Sequence, residues 1–238
     1  MPRSFPGSSD DVARPATTAP DADRLTVARG TQPEIDLEIR RSHFLARAAR
    51  TGSEEEARGF ISSVRATYPD ARHHCSAFIV ALPGANPVER SSDDGEPSGT
   101  AGTPMLEVVR ANGLTDVAVV VTRYFGGTLL GTGGLVRAYS EATARALSAA
   151  TQVRLVTHRL WDVELDVAEA GRIEAEMRSR GIRVEDMRWG TRTVLTLSTP
   201  AADGEAYPAL TDTLATLTQG RSAPVPAGSR VVEVPVPA

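Results

Sequence analysis

Lysine is missing altogether from this chain of 238 residues, whose 26 basic side chains are all arginine. That excludes a phosphate-loop lysine, a Schiff-base lysine and a Ser-x-x-Lys nucleophile. Cysteine occurs once, at Cys75, so no internal disulfide can form, and a reducing compartment is its simplest setting. Aromatic residues make up only 5% of the chain, too few for an extended base-stacking platform. No apolar run approaches the roughly twenty residues that cross a bilayer. The opening Met1-Pro2-Arg3-Ser4-Phe5-Pro6 lacks the continuous apolar segment of a secretory signal. These absences predict a cytoplasmic protein without a membrane partner. A net charge of −4 supplies no global basic field, so any nucleic-acid contact must come from a local patch, and recognition of a DNA sequence is not expected.

What is present suffices for ordinary cores: 41% of residues are apolar, in a length that fits one large or two small domains. Residues 1–32 are rich in Pro, Ser, Ala, Thr and Asp without apolar periodicity, and predict a flexible tail. A first domain over 33–152 reads as strand 35–39, an extended piece near Phe44-Ala46, and a helix over 54–67. Ser53 suits the N-cap of that helix, and Ala57, Phe60, Ile61 and Val64 form its apolar stripe. Residues 77–82 and 117–121 read as buried strands, 104–111 as a short helix, and 133–149 as a longer one. From 158 to 236 the pattern starts afresh as β-α-β-β-α-β, the split βαβ order of a ferredoxin-like domain, with the last helix starting at Pro208. The fold class is α+β.

Two polar, glycine-rich loops bracket the strand at 117–121. The first carries Asp93, Asp94 and Glu96, followed by Thr100. Its carboxylates could take Mg²⁺, Asp93 and Asp94 above all, or hold a partner's arginine; they could equally cap a turn. The second runs Arg123-Tyr124-Phe125-Gly126-Gly127 and then Gly131-Thr132-Gly133-Gly134. A helix opening at those last glycines offers free N–H groups and a positive dipole end to a phosphate, with Arg123 and Arg137 adding charge. Tyr124 and Phe125 could stack a base, or simply pack in the core. The spacing fails the dinucleotide fingerprint at Val136. His73, His74 and Cys75 cannot converge on one ion from a strand, because His74 points away from the other two; the two histidines are secondary candidates. Gly95-Glu96-Pro97-Ser98-Gly99 is offset from a nucleophile elbow, so hydrolase chemistry has no support.

Three segments taken together, SDDGEPSGTAGTP at 92–104, RYFGGTLLGTGGLVRAYS at 123–140 and DARHHCSAF at 70–78, resemble the YigZ/IMPACT family in order and separation. The resemblance covers roughly Ile35 to Leu147. It implies a first domain shaped like the fourth domain of elongation factor G, an α/β sandwich, then the ferredoxin-like domain. It also implies a role in translation, to whose control the eukaryotic members are linked. The expectation is a regulatory binding protein, leaning away from catalysis and without a firm cofactor. Its partner would be RNA, the ribosome or a translation-related protein. The alternative is a Mg²⁺-dependent phosphate- or nucleotide-binding enzyme or sensor built on the two loops.

Overall fold

The computed structural model describes residues 23–82 and 84–236. Their chain divides into two compact units, one of residues 23–82, 84–158, 200–204 and 231–236, the other of 159–199 and 205–230.

The first unit begins with β1 (Arg24–Val27), β2 (Ile35–Ile39) and β3 (Ser42–Arg50), then α1 (Glu54–Thr67), β4 (His73–Leu82) and β5 (Ala85–Ser92). It continues through α2 (Gly102–Ala111), β6 (Val117–Tyr124) and α3 (Thr132–Ala149). Strands β2 to β6 form one sheet in the order β2-β3-β6-β4-β5, antiparallel at every pairing. The inner strands β4 and β6 are buried almost from end to end, because helices cover both faces of the sheet. Cys75, Ala77, Ile79, Val117, Val119 and Val121 face α2 and α3 in the main core. Phe78, Val80 and Ala118, at the intervening positions, face α1 in a smaller cluster that includes Ala57, Phe60 and Ile61. This alternation decides the site: in β4 and β6, odd-numbered side chains look toward α2 and α3, even-numbered ones toward α1.

The start of α1 follows the sequence expectation, with the Ser53 hydroxyl accepting from Glu56 N at 3.1 Å and Glu54, Glu55 and Glu56 in the first turn, where the helix dipole favours them. Val64 and Ala57 are fully buried.

The other unit draws on β7 (Gln152–Leu165), α4 (Val167–Ser179), β8 (Arg183–Arg188), β9 (Thr193–Pro200), α5 (Ala206–Thr218) and β10 (Val225–Pro235). Its strand order, β10-β7-β9-β8, is that of a ferredoxin-like sheet, and Trp161, Val163, Leu165, Ile173, Leu195 and Leu210 fill its core. The α+β, two-domain reading holds.

Beyond shifts of one to four residues at the ends of α2, α3, β4 and β6, four differences from the sequence reading have a physical cause. Within the stretch expected as a tail, Arg24–Val27 is a strand whose partner is Gln152–Leu155; four residues carry no periodicity, and the pairing that creates the strand lies over a hundred residues away. Residues 1–22 of that expected tail lie outside the described residues, while Ala28 and Gln32 hydrogen-bond with Thr151. The same partner makes β7 one continuous strand through 153–157, where a domain break was expected. Strand β5 was not anticipated because it is an edge strand, mostly exposed, with none of the apolar signal that betrays a buried one. Helix α5 starts at Ala206 rather than Pro208, since a proline in the first turn removes an N–H that has no intrahelical partner anyway.

Replacing Ser53 by Ala leaves the Glu56 amide without its cap and is expected to cost about 1 kcal/mol in urea unfolding. An unchanged midpoint would show that solvent replaces the hydroxyl without loss.

Candidate functional site

The two loops meet the sheet at the end where β4 begins and β6 finishes. Each acid of the first loop has its own task there. Asp93 accepts from the backbone N–H groups of Gly99 (2.8 Å), Ala101 (3.0 Å) and Gly102 (2.8 Å). It thereby folds the loop and caps α2, whose own N-cap residue, Ala101, has no side chain to do so. Asp94 accepts from His74 N at 2.6 Å and pairs with Arg65 at 2.8 Å, while its carbonyl accepts from His73 Nδ1 at 2.9 Å. Burial alone would raise both carboxyls, but the backbone amides at Asp93, and Arg65 with the His74 amide at Asp94, outweigh it and hold both pKa values below the ordinary range. Thr100 donates to Pro97 O at 2.6 Å, a turn contact within the loop.

Glu96 turns inward. One carboxylate oxygen, Oε1, accepts from Arg123 Nη1 at 2.7 Å and from Tyr139 OH at 2.8 Å. The side chains of Glu96 and Arg123 are 3% and 8% exposed. The Arg123 guanidinium lies 5.5 Å from the centroid of Phe44 and 5.7 Å from that of Phe125, and Tyr139 meets Phe44 edge-on at 5.2 Å. Cys75 lies in the same core and donates to Asp93 O at 3.0 Å. Burial pushes its thiol up to about 12, and burial likewise raises the Tyr139 phenol. A thiol so protonated is no nucleophile at neutral pH.

These contacts change the standing of several candidates. Arg123 is a buried partner of Glu96 and also forms part of the cleft wall beside Phe125. The carboxylates of Asp93, Asp94 and Glu96 point at three different sets of donors and do not converge on one point for Mg²⁺. Among the described residues no three His, Cys, Asp or Glu side chains gather as a metal set. His73 and His74 part company as strand alternation requires: His73 holds the loop, and the His74 ring meets Thr122 Oγ1 at 3.0 Å on the α1 side.

What remains open is the outer lip. Asp70, Arg72, His73, Arg123, Tyr124, Phe125 and Leu129 line a cleft of about 440 Å³. Phe125 is 56% and Leu129 81% exposed, and Tyr124 OH donates to Asp70 at 2.8 Å. Arg72 is exposed and makes no ion pair among the described residues. Sequence reasoning missed Arg72 and Leu129 as lining residues, and Tyr139 as the third member of the buried pair. The spacing of Tyr139, four residues from Leu135 on the apolar stripe of α3, was the available signal.

The glycines divide by cause. A Cβ on Gly126 would sit 2.0 Å from the Arg41 backbone, so the β2-β3 turn can press on this loop only if position 126 has no side chain. Gly127 and Gly131 have positive φ, and a Cβ on Gly134 would crowd Leu130 at 3.0 Å. Gly133 faces open space in helical conformation, so neither packing nor backbone strain requires it. It leaves the start of α3, which no side chain caps, uncovered. Arg137 is exposed one turn further on.

The Impact N-terminal domain matches residues 40–147, a span that holds both loops, the buried pair and the cleft. The IMPACT family member YigZ of Escherichia coli is 38% identical over 165 residues, 69% of this chain and 81% of its own length. A Thermus thermophilus member is 40% identical over 185 residues, 77% of this chain and 97% of its own. The chain belongs to the IMPACT family. A solved structure of a hypothetical protein, 32% identical, covers 90% of this chain and 98% of its own with a TM-score of 0.54. In this IMPACT-family chain the likeness to relatives thus extends past the matched domain into β7 to β10, whose residues lie beyond 147.

Two outcomes follow from the buried chemistry. Glu96→Ala strands the Arg123 charge in the core and is expected to cost about 3–5 kcal/mol in denaturant unfolding. The double variant Glu96→Leu with Arg123→Met removes both charges and should recover part of that loss; no recovery would mean that the pair is not the source. For Asp93, a folded pKa below the unfolded one gives stability that is present above about pH 4 and lost as the pH falls through the folded value. Asp93→Asn is therefore expected to be less stable at neutral pH and to lose less on acidification, as thermal melts from neutral to acid pH would reveal.

Proposed function

We propose that this chain is a non-catalytic binding protein of the translation apparatus, and that its first unit grips RNA at the lip of the 440 Å³ cleft. The observation that carries the reading is the pairing of an aromatic ring, Phe125, and a neighbouring apolar side chain, Leu129, both held in solvent, with an arginine, Arg72, in the same cleft. A single-stranded base stacks on an exposed ring at about 1–3 kcal/mol, whatever its identity, and a guanidinium takes the adjoining phosphate. The ring is held on a fixed support: Phe125 follows directly on β6, and Gly126 locks the next residue against the β2-β3 turn. The uncapped start of α3 and exposed Arg137 add donors and charge after the same loop. Translation as the setting comes from the family resemblance, whose eukaryotic members are linked to its control. The carboxylates that a Mg²⁺-dependent enzyme would need are engaged with backbone amides, arginines and Tyr139 instead, which favours binding over catalysis.

In sucrose-gradient sedimentation of lysate, wild-type protein is expected in ribosomal fractions in an RNase-sensitive manner, with Arg72→Ala/Phe125→Ala left at the top. Ribosomal migration that the double variant keeps would refute the cleft. Co-sedimentation that survives RNase and is lost in the variant would point to a protein partner at the same lip and refute RNA. Wild type confined to the top would refute the ribosome itself.

A further inference from the structure

The α1 face of the same sheet carries a second cleft, of about 510 Å³, between α1 and the edge strand β5. Its floor is β4, through the even-numbered positions His74, Ser76 and Phe78 that look toward α1. Arg58 and Arg65 rise from α1 on one side, and Arg90 from β5 on the other. We propose that this cleft is a binding site for a small phosphorylated molecule of nucleotide size, independent of the lip around Phe125.

Three observations carry it. Charge is the first. Arg58 is answered by Glu54 at 2.6 Å and Arg65 by Asp94 at 2.8 Å, but Arg90 makes no ion pair among the described residues and donates only to the backbone carbonyl of Glu89 at 3.0 Å. Three guanidiniums therefore meet two carboxylates, Glu54 and Asp94, in exposed ion pairs weak enough to be shared with a ligand. The second is Ser76. Its residue is 5% exposed, lines the cleft, and its hydroxyl makes no hydrogen bond among the described residues. That hydroxyl opens to the cleft and can donate to a phosphate oxygen entering it. Thirdly, Ile61 and Phe78 line the same space and supply apolar surface for the non-phosphate part, in a volume within the range of small-ligand sites. Burial first, and Arg65 second, lower the His74 pKa, so the imidazole brings no charge of its own at neutral pH.

Calorimetry with adenosine monophosphate, inorganic phosphate, adenosine and a short oligouridylate tests the site in the full chain. Adenosine monophosphate and inorganic phosphate are expected to bind, and adenosine not to. Arg90→Gln, at an exposed position with no ion pair to break, should weaken the monophosphate about tenfold, as expected for loss of one charge-assisted contact. Ser76→Ala should weaken it without lowering the melting temperature. Arg72→Ala/Phe125→Ala should bind it unchanged, which separates this site from the lip. Absence of binding by both phosphate probes would overturn the proposal, as would equal affinity in Arg90→Gln. Oligouridylate binding without the monophosphate would assign the cleft to an RNA strand instead and refute a small-molecule site.

Discussion

A single buried ion pair organises the functional end of the first unit. Glu96, Arg123 and Tyr139 come from a loop, the end of a strand and a helix, 27 and 43 residues apart along the chain, and they share one carboxylate oxygen in a space with almost no solvent. Two charges taken out of water in this way contribute little net stability but make every alternative arrangement expensive, since moving any member leaves a charge or a hydroxyl unpaired in the core. The aromatic rings of Phe44 and Phe125 on either side of the guanidinium extend the same constraint to β3 and to the second loop. Arg123 Nε, buried and without a partner among the described residues, marks how far the geometry favours this one register over full satisfaction of its donors.

The acids of the first loop work to the same end at lower cost. Asp93 gathers the amides of the loop and the start of α2, and Asp94 ties the loop to β4 and α1. The polar residues that look most reactive in the sequence thus hold the loop in place, and the groups left around them are Phe125, Leu129, Arg72 and Arg137 near the end of the sheet and Arg58, Arg65 and Arg90 on its α1 face.

Much of the fold was legible because its signals are local. The cap at Ser53, the three- and four-residue spacing of Ala57, Phe60, Ile61 and Val64, and the unbroken apolar runs of β4 and β6 each reflect contacts between neighbours or burial on both faces. The β-α-β-β-α-β order of residues beyond 158 followed from the same periodicities. Strands β1 and β5 were not legible, because an edge or a short strand exists by virtue of its partner, and nothing in Arg24–Val27 or Ala85–Ser92 announces which partner that is.

The site divides along the same line. The sequence alone determined that two polar, glycine-rich loops flank one strand, that lysine-based chemistry and an internal disulfide are absent, and that the residues at 92–104 and 123–140 carry a family resemblance, since composition and motif order need no coordinates. Only the tertiary structure decided that Arg123 pairs with Glu96 in the core, that Asp93 and Asp94 hold the loop to its neighbours, and that Arg72, Arg123 and Phe125 share a cleft. The reason is physical: whether a charged side chain is a structural partner or a free ligand group depends on what the fold brings within about 3 Å of it and whether water remains, and neither quantity is written in the order of residues.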